Sequence, residues 1–180
     1  HSYGADMTYS DKILKSVLDR TKTIACVGVS LNEVRPSFFV ARYLTLKGFD
    51  VYGVNPAYAG QQAFGHPIVA SLADLPPDVT IDMVDIFRNS AAAAGLVDEA
   101  LALIPLPKVI WMQLTVRHDE AAEKAEAAGV RVVMNRCPKI EYGKLSGEWG
   151  WVGGNSGVIS SKKQSLHGSG KMQSLGIVKR

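Results

Sequence analysis

The tripeptide Gly28-Val29-Ser30 stands between an apolar run, Thr23-Ile24-Ala25-Cys26-Val27, and a polar stretch that ends at Arg35-Pro36. A glycine at the end of a strand lets backbone amides come close to a phosphate. Ser30 adds a hydroxyl, and a helix opening at Pro36 adds about half a positive charge at its N-terminus. Arg35 is placed to pair with a phosphate directly. The chemistry on offer is capture of a phosphorylated ligand. The same glycine equally serves a tight strand-to-helix turn, where only its small volume matters.

Other polar residues recur just past apolar runs. Phe87 and Arg88 follow Val79–Ile86, Gln113 follows Lys108–Met112, and Asn135-Arg136-Cys137-Pro138-Lys139 follows Val130–Met134. Arg88 and Gln113 read as ligand contacts in a crevice, whereas Trp111 and Met112 read as core. Cys137 lies between Arg136 and Lys139, which favours a thiolate; a cysteine before a proline turn also has a plain structural reading.

Catalytic constellations are thin. His1, His66, His118 and His167 have no metal-ligand spacing with one another or with either cysteine. His118, beside Asp119, reads as a solvated residue on a helix's first turn. No serine sits in a G-x-S-x-G frame, and no G-K-[ST] marks a P-loop. Of the three glycines in a dinucleotide fingerprint only Gly28 is present. The second strand ends in Asn55-Pro56, where an acid would grasp ribose hydroxyls; Asp50 opens that strand at the opposite edge of the sheet.

The elements that must position these residues follow from patterning. Ser10-Asp11 begin a helix over 11–20, with Ile13, Leu14, Val17 and Leu18 on one face. Residues 23–27 read as a strand buried on both faces, and 50–54, 79–86, 108–112 and 130–134 as four further strands. Helices are expected over 36–47, 91–104 and 117–128, punctuated by Pro36, Gly48 and Gly129. Residues 55–70 read as a loop with short extended pieces. The alternation specifies an α/β fold: a Rossmann-like, doubly wound, mostly parallel five-stranded sheet with helices on both faces. Right-handed crossovers then put the ligand loops at the carboxyl ends of the strands.

Residues 11–145 form the expected domain, and 146–180 a Gly/Ser-rich basic tail. Residues 1–148 carry all 17 acidic residues and 15 of the 20 basic ones, a net of −2, so the basicity lies in the tail. That distribution argues against nucleic-acid binding, which concentrates charge on a structured face. No apolar run reaches the ~20 residues of a membrane span. With two cysteines and no leader pattern, a cytoplasmic setting is the expectation.

The strings V-G-V-S, R-P-S, V-N-P, V-D-I-F-R, W-M-Q and N-R-C-P-K-I-E-Y occur in this order. Together they resemble the small bacterial and archaeal CoA-binding proteins, which are similar to the CoA-binding domain of the succinyl-CoA synthetase alpha subunit. The resemblance covers about residues 11–145. It implies that Gly28, Val29 and Ser30 hold the pyrophosphate of coenzyme A and that Arg35 and Ser37 sit near its phosphates. It puts Asn55 and Pro56 beside the adenosine, Phe87 and Arg88 along the pantetheine, and Gln113 near the pantetheine's end. The phosphorylated histidine of the synthetase subunit lies in a second domain that this chain does not match. The neutral Asn55 also avoids the repulsion an acid would exert on the 3′-phosphate of CoA.

The expectation is therefore a non-catalytic module that binds CoA or acyl-CoA as a carrier, sensor or regulator. The alternatives are an NAD(P)-dependent oxidoreductase and a non-catalytic partner of an acyl-CoA ligase. A homodimer through edge strands or the 117–128 helix stays open, as does exchange between Cys137 and the CoA thiol.

Overall fold

A computed structural model describes residues 9–147; the expected tail lies outside the described residues, apart from its first two. Helix α1 (Asp11–Asp19) is capped by Ser10, whose Oγ accepts from the Ile13 amide at 3.2 Å. Strands β1 (Thr23–Val27) and β2 (Asp50–Val54) flank α2 (Pro36–Leu46), which starts at its proline and ends before Gly48, at φ +100°. A 3-10 turn (Pro56–Tyr58) and the hairpin β3 (Gln62–Ala63) with β4 (His66–Pro67) fill the loop region. Then come β5 (Met83–Ile86), α3 (Ser90–Leu101), β6 (Val109–Met112), α4 (Asp119–Ala127), β7 (Arg131–Val133) and α5 (Pro138–Leu145).

Strand β5 is shorter than the run 79–86 because Asp82 is spent as a brace. Its Oδ2 accepts from the amides of Lys22 (2.8 Å) and Thr23 (3.1 Å), pinning the entrance of β1 to that of β5. Helix α5 lies in a stretch where no helix was expected, since its weak pattern of apolar and charged residues hides it.

The main sheet has the order β2-β1-β5-β6-β7, and every pair is parallel. It is the doubly wound α/β sheet that the alternation called for. Alternate residues serve opposite faces. Ile24, Cys26, Met83, Val109, Trp111 and Val133 pack against α1, α2 and α5, and Ala25, Val27, Val84, Ile86, Ile110 and Met112 against α3 and α4. The chain winds outward from β1 to β2, then returns to β5 on the other side of β1. This reversal opens a crevice between the carboxyl ends of β1 and β5, where doubly wound sheets bind ligands. No helix of the described residues is long and apolar enough to cross a membrane.

Candidate ligand-binding site

The crevice begins at Gly28. Its amide donates to Val54 O at 2.8 Å, and its φ is +89°. A Cβ here would lie 2.6 Å from Cδ and 2.9 Å from Cγ of Arg88, so the glycine is needed both for its backbone and for the arginine lying over it. Gly28→Ala is expected to cost about 1–2 kcal/mol of stability through the left-handed backbone and to push Arg88 out of place. A thermal melt together with a CoA titration checks both effects.

Val29 is fully buried and packs over Gly53, so it offers the site only backbone. The Ser30 amide donates to Ser37 Oγ at 2.9 Å. Ser30 Oγ accepts from the Asn32 amide at 2.9 Å and sits 3.3 Å from the Tyr58 hydroxyl. Ser37 therefore locks the loop onto the first turn of α2. Arg35, at the N-cap of α2, has an exposed side chain that makes no capping bond.

A cleft of about 730 Å³ runs from Gly28, Ser30, Arg35 and Ser37 past Phe39, Phe87 and Arg88 to Gln113, Thr115, Cys137, Lys139 and Ile140. Three cationic side chains line it and no acidic one does. The N-termini of α2, α3 and α5 all meet the cleft. Those of α2 and α5 lack a side-chain cap, whereas α1 and α4, which begin elsewhere, are capped by Ser10 and His118. Positive helix ends and guanidiniums thus face one volume with no counter-charge of their own.

The cleft brings together seven of the ten residues read from the sequence; Val29, buried against Gly53, is not in its lining. Asn55 and Pro56 lie outside its lining. Asn55 donates from Nδ2 to Val29 O (2.9 Å) and accepts from the Ala57 amide (2.9 Å), bracing the loop from behind. Pro56 opens the 3-10 turn that brings Tyr58 to Ser30. His118 is the N-cap of α4, its Nδ1 accepting from Ala121 N at 3.1 Å, rather than a first-turn residue. Trp111 is core as expected, with Nε1 donating to Arg136 O at 2.8 Å. No group of His, Cys, Asp and Glu that could hold a metal occurs among the described residues.

Beneath the far end of the cleft lies a polar cluster that sequence reading missed. Asp85 sits mid-strand in β5, in register with Cys26 on one side and Trp111 on the other, and is completely buried. Neither of its carboxylate oxygens has a hydrogen-bond partner, and nor does Oε1 of Gln113. Gln113 follows Trp111 by two residues, so it stands on the same face, diagonal to Asp85. Burial raises the Asp85 carboxyl well above the carboxylate range. Burial also raises Cys137; the Ile140 amide and the Gln113 amide pull it down, and Asp85 pushes it up. The signal in the sequence was a second acid, after Asp82, within the strand-forming run 79–86.

Residues 22–143 match the family model described as CoA binding domain. An uncharacterized protein of Bacillus subtilis (strain 168), YneT, is 32% identical over 129 residues, covering 72% of this chain and 91% of that protein. The solved structure of "cell-free ID.343" from Thermus thermophilus superposes with a TM-score of 0.71 at 37% identity, covering 76% of this chain and 99% of that one. A hypothetical protein from Pyrococcus horikoshii OT3 gives a TM-score of 0.70 at 33% identity, over 81% of this chain and 97% of that one. Rossmann-like sheet, crevice loops and family match agree: the chain belongs to the CoA binding domain family.

Proposed function

We propose that this chain binds coenzyme A or acyl-CoA in the cleft and does not transform it, acting as a carrier, sensor or regulatory module. The observation that carries the reading is the polarity of the cleft. Arg35, Arg88 and Lys139 line it without an acid, while Phe39, Val40, Phe87, Leu114 and Ile140 supply apolar wall. CoA has the same division: anionic phosphates at one end, and a long, weakly polar pantetheine arm at the other. A dinucleotide site would want an acid at the end of β2; the residue there is Asn55, already committed to the Val29 carbonyl.

The non-catalytic part of the reading rests on how the candidate catalytic groups are used. Ser30 Oγ faces an amide and a tyrosine hydroxyl, and among the described residues it has no hydrogen bond to a base. His118 is a helix cap, and His66 is 2.6 Å from Asp50 Oδ1 at the opposite edge of the sheet.

Calorimetry with CoA tests the binding; no heat at millimolar CoA would sink the reading. Ser30→Glu sets a carboxylate against the phosphates and is expected to weaken CoA about 10–100-fold, the loss of one charge-assisted contact. Native mass spectrometry of the purified protein reads retained CoA and oligomeric state together.

A further inference from the structure

The end of the cleft opposite the phosphate loop is built around a thiol. Cys137 lines the cleft and is 6% exposed; Gln113, beside it, is 8% exposed. The Gln113 amide bonds toward the Cys137 sulfur, and the amides of Lys139 and Ile140 at the start of α5 face it too. On the other side, Gln113 Oε1 is buried with no partner, above the equally orphaned Asp85 carboxyl. A buried acceptor without a partner is costly. Burial raises the Asp85 carboxyl, so it carries an O–H donor on the same face of the sheet as Gln113, one diagonal position away. The second cysteine, Cys26, is fully buried in β1 and does not line the cleft.

We propose that Cys137 is a covalent anchor for the ligand's thiol, forming a mixed disulfide with coenzyme A by thiol–disulfide exchange. This rests on the reading that CoA fills the cleft with its pantetheine toward Gln113. The reactant is CoA disulfide. The Cys137 sulfur attacks one of its sulfurs, a Cys137–CoA disulfide forms, and the CoA–CoA disulfide bond breaks. The departing CoA leaves as thiolate and takes up the proton that Cys137 gave to solvent. One disulfide is consumed and one is made, so no further oxidant or reductant is needed.

Burial raises the Cys137 thiol above its ordinary range, so its reactivity toward small disulfides is low. Selectivity comes from occupancy: the ligand's phosphates, held by Arg35 and Arg88, hold its sulfur near Cys137 at a high effective concentration. A disulfide lacking the nucleotide gains none of this.

The test is intact-protein mass spectrometry of the full chain after incubation with CoA disulfide. Calorimetry with reduced CoA under a phosphine reductant runs in parallel. The expected result is one CoA adduct per chain, lost on reduction, mapping to the peptide that contains Cys137 and missing in Cys137→Ser. Glutathione disulfide at equal concentration should label at least 10-fold less; this comparison needs only the wild-type chain, so it holds even if the variant folds poorly. Labelling of Cys26, equal labelling by glutathione disulfide, or no adduct where calorimetry shows CoA bound overturns the anchor alone. No adduct and no calorimetric heat overturns the CoA reading with it.

Discussion

Reversing both cleft guanidiniums, Arg35→Glu with Arg88→Glu, is expected to weaken CoA binding by more than about 1,000-fold while leaving the melting temperature near that of the wild type. Both residues line the cleft, and among the described residues neither makes an ion pair or a side-chain hydrogen bond. Among the described residues no contact depends on their charge, so the fold loses little. A guanidinium–phosphate contact contributes about 1.5–3 kcal/mol, and two of them about 10²–10⁴ in affinity. Placing carboxylates there adds repulsion. The single reversals should each fall partway, and wild-type affinity should drop as salt rises, because both groups are solvent-exposed. Calorimetry at two ionic strengths with parallel thermal melts decides the matter. A double variant that binds like the wild type removes the phosphate end of the cleft from consideration.

Asp85→Asn is expected to stabilise the protein at neutral pH, an unusual outcome for a fully buried position. The carboxyl is held well above its ordinary value of 3.8 by burial, without a partner. Between that value and the raised one the folded chain keeps a proton that the unfolded chain releases. Stability therefore falls as pH rises through this window, by up to about 1.4 kcal/mol per pH unit. Below 3.8 both states are protonated and the penalty vanishes. Asparagine has nearly the same shape, carries no charge and removes this slope. Melting curves between pH 4 and 8 should show the variant and wild type close together at the acid end and the variant several degrees higher at the neutral end, since about 1 kcal/mol moves a chain of this size by roughly 2–4 °C. Parallel curves at all pH values would mean that Asp85 is not the group holding the proton. Asp85→Leu also carries no charge but has no polar group at all, so it separates the cost of ionisation from the cost of burying an unpartnered polar side chain.

Much of the architecture was legible because buried parallel strands announce themselves. Residues 23–27 and 50–54 are short apolar runs with turn formers at their ends, and both became strands with those limits. Helix α2 was bracketed by Pro36 and Gly48 for steric reasons that act locally. Helix α5 escaped because it begins within a ligand-facing loop and its buried positions, Pro138, Glu141, Tyr142 and Gly143, form no apolar stripe. The cleft was legible at Arg88 and Gln113, since polar residues past strand ends are conspicuous against the apolar runs before them. Other roles depend on contacts between distant segments. Ser37 reads as a residue near the phosphates, and it lines the cleft, but the sequence does not show that its hydroxyl oxygen also accepts from the Ser30 amide. Asn55 reads as a ligand neighbour, and the sequence does not show that its amide also holds the Val29 carbonyl. Asp85 differs from a surface acid only in what lies on either side of it, Cys26 and Trp111 in adjoining strands.

The overlap of Gly28 with Arg88 has a consequence for how this site can vary among relatives. The arginine occupies the space a Cβ at position 28 would need, so the two positions do not drift independently. A side chain at 28 is tolerated only where 88 has become short or has swung away, and a lineage that gives up the arginine loses one of the reasons to keep the glycine. The order of substitution is then constrained: loss of Arg88 first opens a route to replacement of Gly28, whereas the reverse order passes through an intermediate with both a strained turn and a displaced cation.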